Sequence, residues 1–127
     1  MSASYTIDTQ TRVVRTTFDG LITFRDVAGL CAALASDIAF QPGFSELATF
    51  GQDCDLQLSF RDFHELSALD PFEKTSRRAF VVPFRRAVYG MVRMFQISRQ
   101  EAPNVRIFDT VDEAWSWLMK SQEARPA

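Results

Sequence analysis

The chain is poor in the residue types that most often carry chemistry: two cysteines and one histidine in 127 residues. Cys31 lies in the apolar helical pattern GLCAAL and reads as a small buried hydrophobe. Cys54 stands between Asp53 and Asp55, whose charges disfavour a thiolate, so it is a poor nucleophile. Two thiols and one imidazole do not complete a tetrahedral zinc site without carboxylates, and no ligand spacing is present. His64, in DFHEL, reads as a helix-surface or cap-region residue rather than a general base. There is no GxSxG elbow, no HExxH, no GxGxxG and no GxxxxGK[ST], so neither hydrolytic catalysis nor a nucleotide cofactor is indicated. Asp53, Asp55 and Asp62 lack the glycine and terminal glutamate of an EF-hand and read as a solvated acidic loop. No catalytic residue, metal or cofactor is therefore assigned.

Long apolar runs are also missing. None approaches the roughly 20 residues that span a bilayer, and MSASYTID has neither the basic start nor the apolar core of a signal peptide. The expectation is a reduced, cytoplasmic protein with no integral membrane association. Net charge is −2, too near neutral to indicate nucleic acid as a partner.

What the chain does have is apolar bulk. The hydrophobic fraction is 46% and twelve residues are Phe, enough for one packed core at a length typical of one domain. Its charges are segregated. Seven of the arginines lie between Arg77 and Arg106 with Glu101 as the only acid, whereas Glu46–Glu73 holds seven acids against Arg61. These segments either pair in the fold or leave the arginines on a free cationic face.

Periodicity supplies the elements. Tyr5–Asp8 and Val13–Asp19 alternate around the polar Thr9–Arg12 and predict a hairpin at an antiparallel edge. From Thr23, apolar residues at Val27, Leu30, Cys31, Leu34, Ala35 and Ile38 form a helical stripe, closed by Pro42–Gly43. Glu46–Phe50 reads as a strand, Phe60–Leu69 as a helix carrying Phe63, Leu66 and Leu69 on one side, and Ala79–Phe84 as a strand ended by Pro83. Helix over about Ala87–Arg99, strand over Val105–Phe108 and helix over Val111–Met119 complete the series. The predicted fold is a single α/β domain over residues 1–120 with a polar tail at 121–127. Its order is β-β-α-β-α-β-α-β-α, with a mostly parallel mixed sheet beginning in an antiparallel hairpin.

Two fragments, LITFRDVAGL and LQLSFRDFHEL, share [TS]FRD. Thr23 with Asp26 and Ser59 with Asp62 have the spacing of an N-cap hydroxyl and an acid in the first turn, as Thr110 with Glu113 does. The residues beyond the motif diverge, where an internal repeat would continue to match. The likeness is a helix-capping device used more than once.

The helix without such a cap is RRAVYGMVRMFQISRQ, Arg85–Gln100. Val88, Met91, Val92 and Phe95 make its core face, and Tyr89, Arg93, Gln96 and Gln100 its polar face. Gly90, Met94 and Ile97 form a second apolar strip, and a helix-interior glycine fits a close approach. Arg85, Arg86, Tyr89, Gly90, Arg93, Met94 and Ile97 are the predicted contact residues. They offer a homodimer or protein-partner surface, or a site for a small anionic or lipid-like ligand.

With FDGLITFRD entering the first helix, RRAFVVPF followed by YGMVRMF, and VRIFDTVDEAWSWL at the end, the chain resembles the SpoIIAA-like, STAS-related bacterial proteins over nearly its whole length. The resemblance implies a small α/β domain, non-catalytic, with a regulatory or interaction role; the fold's likeness to lipid-binding CRAL-TRIO domains keeps a carrier role open. Anti-sigma-factor antagonists of the wider group carry a phosphorylatable serine in a D-[LF]-S-G-like turn. Here the corresponding segment is Thr49-Phe50-Gly51-Gln52. Gly51 takes the serine position, so the phosphoserine switch does not carry over.

Overall fold

The structure, a computed structural model, describes residues 2–82 and 104–123. The chain opens with β1 (Ala3–Asp8) and β2 (Val13–Phe18), paired antiparallel with Ala3 opposite Phe18 and Asp8 opposite Val13. The connection turns on Asp8, whose Oδ1 accepts from the backbone N–H groups of Gln10 at 3.0 Å and Thr11 at 3.2 Å. Aspartate closes turns in this way, and the Thr11 bond foremost holds the Asp8 carboxyl below its ordinary value.

Gly20 follows β2 at φ 65°, a left-handed conformation that glycine adopts without a Cβ penalty. It turns the chain into β3 (Leu21–Thr23) and directly into α1 (Phe24–Ala35). The predicted cap is present. Thr23 Oγ1 accepts from the Asp26 N–H, and the Asp26 carboxylate accepts from the Thr23 N–H at 2.8 Å. The helix ends with Ser36 as C-cap, so Ile38 leaves the helical period and is fully exposed instead of joining the apolar stripe.

Next come β4 (Ser45–Phe50), β5 (Asp55–Gln57) and α2 (Phe60–Leu69). The Ser59–Asp62 capping box is formed as predicted, with the Ser59 N–H on Asp62 at 2.8 Å and the Asp62 N–H on Ser59 Oγ at 3.1 Å. Phe63 and Leu66 are buried, but Leu69, expected on the same face, is half exposed at the helix end. The remaining described elements are β6 (Arg78–Val81), β7 (Val105–Phe108) and α3 (Val111–Glu123). The last helix runs beyond the predicted Met119, and Gln122 Nε2 donates to the Thr11 carbonyl, fastening its end to the first hairpin.

Five strands form one sheet in the order β1-β2-β4-β6-β7. Only the first pairing is antiparallel; β2–β4, β4–β6 and β6–β7 are parallel. This is the α/β architecture with an antiparallel N-terminal edge hairpin. The short strands β3 and β5 are additions to it, pairing in parallel as a separate ribbon with Leu21 opposite Asp55. At three residues each they fall below the length at which alternation becomes legible.

The central strand β4 is buried at every residue but Thr49, as a parallel strand covered on both faces requires. On one face Phe18, Ala48, Phe50 and Phe80 meet α1 and α2. On the other, Ala114 and Leu118 of α3 pack on Val13, Leu47, Ala79 and Val81. Arginines close the flanks of α3: Arg15 lies 4.7 Å from the Trp115 ring centroid and Arg77 4.8 Å from that of Trp117.

Candidate functional site

The sheet register places Thr16, Ala48, Phe80 and Ile107 side by side, with Val14, Glu46, Arg78 and Val105 as the adjacent row on the same face. The first row has a small residue at its centre. Ala48 fills little of the space under α1 and α2, and a cavity of about 80 Å³ lies there. Among the described residues, Val27, Leu30, Cys31 and Leu34 line it from α1, and Phe63 and Leu66 from α2. Phe18, Ala48, Phe50 and Phe80 form its floor. Cys31 is half-buried here rather than enclosed in the core, so its thiol belongs to the cavity wall.

The second row ends the cavity with charge. Arg78 is buried in β6, directly opposite Glu46 of β4. Its Nε and Nη2 each lie 2.9 Å from Glu46 Oε1, and its Nη1 donates to Asp70 at the end of α2. Glu46 Oε2 accepts from Thr16 Oγ1 at 2.8 Å. The Phe72 ring stacks on the guanidinium at 4.5 Å. A buried charge needs such partners, because desolvation alone costs several kcal/mol per ion. Burial acts to lower the Arg78 pKa, and the charges of Glu46 and then Asp70 outweigh it, holding the group above its ordinary value. Asp70 also sits at a helix C-terminus, where the helix dipole disfavours an acid; Arg78 offsets that.

This network answers part of the charge question. Arg78 belongs to the basic segment, and Glu46 and Asp70 to the acidic one, so the two segments pair in the core at this point. Arg77 and Arg106 instead lie over the Trp117 ring at 4.8 and 5.6 Å. Arg85, Arg86, Tyr89, Gly90, Arg93, Met94 and Ile97, the predicted contact residues, lie outside the described residues.

Gly51 stands at the carboxyl end of β4, its N–H bonded to the Phe18 carbonyl at 2.8 Å. A Cβ there would collide with Asp19 Oδ1 and lie 3.2 Å from Asp53 Oδ1. A side chain in this turn would require the exposed Asp19 carboxylate to move aside. His64 is exposed on α2 and Cys54 is buried. No group of three or more His, Cys, Asp or Glu among the described residues is placed to hold a metal ion. No helix among the described residues is long and apolar enough to cross a membrane.

The sequence left open a ligand held between sheet and helices and a pairing of the acidic and basic segments, but it named neither the residues of this cavity nor those of the Glu46–Arg78–Asp70 network. A local signal for the second existed: an acid inside the apolar run SELATF, and an arginine opening AFVV. Charged residues in runs that read as central strands call for partners. Comparison with protein-family models, with curated proteins and with solved structures finds no match to this chain.

Proposed function

We propose that this protein is a non-catalytic, SpoIIAA-like regulatory domain that carries or senses a small apolar ligand held between its helix pair and its sheet. The observation that carries the reading is the cavity beneath α1 and α2, walled by aliphatic and aromatic side chains. Ligand pockets are concave and mostly apolar, with a few polar groups at one end. The sequence resemblance to SpoIIAA-like proteins supports a regulatory setting by analogy of fold alone. Native mass spectrometry of gently purified protein tests the reading. A co-purifying mass, released on denaturation, is expected; a clean apo mass together with no binding across a lipid and metabolite panel removes it.

A second reading is a cytoplasmic homodimer or protein-interaction domain acting through Tyr89, Gly90, Arg93, Met94 and Ile97. Its support is the apolar strip Gly90, Met94 and Ile97 beside Tyr89 and Arg93 in the sequence. Light scattering is expected to show a dimer, and Gly90→Arg to reduce it to monomer. Assembly unchanged by that substitution rules out this helix as the contact.

A further inference from the structure

β1 is an edge strand of the five-stranded sheet. In an antiparallel ladder alternate residues turn their N–H and C=O groups toward the neighbouring strand, and the residues between turn both outward. The Asp19 N–H donates to the Ser2 carbonyl at 2.8 Å, and Ser2 faces Asp19 in the register that sets Ala3 opposite Phe18. Ser2, Ser4, Thr6 and Asp8 therefore bond inward to β2, and Ala3, Tyr5 and Ile7 direct their backbone groups away from it. Among the described residues none bonds to those outward groups. Natural sheets protect such an edge with lysine, proline, a bulge or a very short strand. β1 has none of these devices. ASYTID contains no basic residue and no proline, runs for 6 residues, and pairs with β2 without a break.

We propose that β1 joins β1 of a second copy antiparallel across a two-fold axis, making one continuous sheet through the dimer. The edge is self-complementary in one register. With Tyr5 facing the partner's Tyr5, Ala3 faces the partner's Ile7, and each facing pair exchanges two backbone bonds. A shift by two residues in either direction leaves Ala3 or Ile7 facing a residue outside the strand. The same register sets Ser4 opposite the partner's Thr6, both exposed hydroxyl side chains of a kind that pair well across strands. Asp8, the strand's one charge, meets the partner's Ser2 rather than a like charge.

Helix α1 lies against this edge and leaves room for a second copy. Tyr5 Oη lies 3.4 Å from the Ala33 carbonyl. Gly29, Ala32, Ala33 and the C-cap Ser36, spaced for one side of the helix, are exposed and small. Two-fold pairing of β1 brings the two α1 helices side by side, and short side chains permit that approach. Ile38 follows Asp37, the residue that holds Tyr5, and it is fully exposed. An axis centred on Tyr5 carries each Ile38 toward the other, giving it apolar surface to bury. One patch meeting itself in this way is the usual form of a homodimer interface. This contact is independent of the cavity, and it uses a surface other than residues 89–97.

Paired variants test the register by sedimentation velocity. Ser4→Glu with Thr6→Glu changes exposed side chains and leaves the bonds to β2 in place, but sets like charges opposite each other across the axis. Wild-type protein is expected to be a dimer, and this variant a monomer of unchanged circular dichroism. Ser4→Lys with Thr6→Lys is expected to be monomeric alone and to form a mixed dimer with the glutamate variant, since each Lys then faces a Glu. Monomeric wild-type protein at its highest soluble concentration overturns the proposal. So does a dimer that survives the glutamate pair, or glutamate and lysine variants that stay apart when mixed. A dimer dissolved by Gly90→Arg but not by the glutamate pair assigns the contact to residues 89–97 and overturns β1 alone. Should the variants not fold, hydrogen exchange of the wild-type protein decides. Protection of the Tyr5 and Ile7 amides that grows with protein concentration is expected; exchange at the rate of unpaired amides at every concentration overturns the pairing.

Discussion

Arg78 joins three parts of the fold that are distant in sequence: β6, β4 through Glu46, and the end of α2 through Asp70. Removing one member strands the others as buried charges, which typically costs 3–5 kcal/mol. Arg78→Met is therefore expected to destabilise by about 3–5 kcal/mol in urea denaturation. Adding Glu46→Gln and Asp70→Asn to it should recover much of that loss; triple-variant stability no better than that of Arg78→Met would show that packing, not charge, dominates. Gly51 is crowded only by the ends of two aspartate side chains. The atom a Cβ at this position would meet is Oδ1 of Asp19, the far end of an exposed side chain that can swing into solvent, so Gly51→Ser is expected to cost less than about 1 kcal/mol, below the range of core overpacking. A urea-denaturation loss well above that, recovered by Asp19→Ala, would show instead that the Asp19 side chain is held in place.

The helices start where local chemistry tells them to, and this was legible in advance. Thr23→Ala and Ser59→Ala each remove an N-cap acceptor and are expected to cost about 1 kcal/mol. The caps lie on different helices, so their denaturation losses should add; a loss near zero for either would mean its Asp alone suffices. Helix α1 is also tied to the sheet edge. Tyr5 Oη donates to Asp37 Oδ2 at 2.9 Å, and that bond, then burial and the Asp37 charge, raise the phenol above its ordinary value. The stabilising form is the neutral phenol. Its contribution is fully present below about pH 10, the ordinary tyrosine value, and is lost as pH rises through the higher folded value. In a Tyr89→Phe background, ultraviolet titration should show Tyr5 ionising late and Asp37→Asn moving it earlier; an unmoved curve would break the assignment. Strands β3 and β5 had no comparable local signal, since each exists by pairing with the other across α1 and β4.

For the whole molecule, the sheet order brings a small residue and a charged row under the α1–α2 pair, and that places the cavity. Any ligand bound only by the folded state raises stability with its concentration, by about 2.7 kcal/mol at a hundredfold excess over Kd. The melting temperature of the wild-type protein is thus expected to rise with any compound of the lipid and metabolite panel that binds, and Ala48→Leu, which places bulk in the cavity floor, to lose that response. Equal shifts in both proteins would mark a solvent effect rather than a site. The face covered by α3 behaves differently. Its flanks are held by arginine on tryptophan, contacts worth roughly 0.5–1 kcal/mol each at exposed positions, and Ala114 and Leu118 of the helix pack directly on its strands.

The strand–helix rhythm, the capped starts of α1 and α2 and the antiparallel opening hairpin were determined by the sequence alone, because periodicity, turn residues and capping spacings act within a few residues. The glycine at the turn after β4 was visible there too, but its crowding by Asp19 was not, for that side chain arrives from the end of another strand. The Glu46–Arg78 pair, the cavity above Ala48 and the β3–β5 ribbon were decided only by tertiary structure. Each arises from lateral register between segments far apart in the chain, and such register is set by how the buried faces pack together rather than by any local preference.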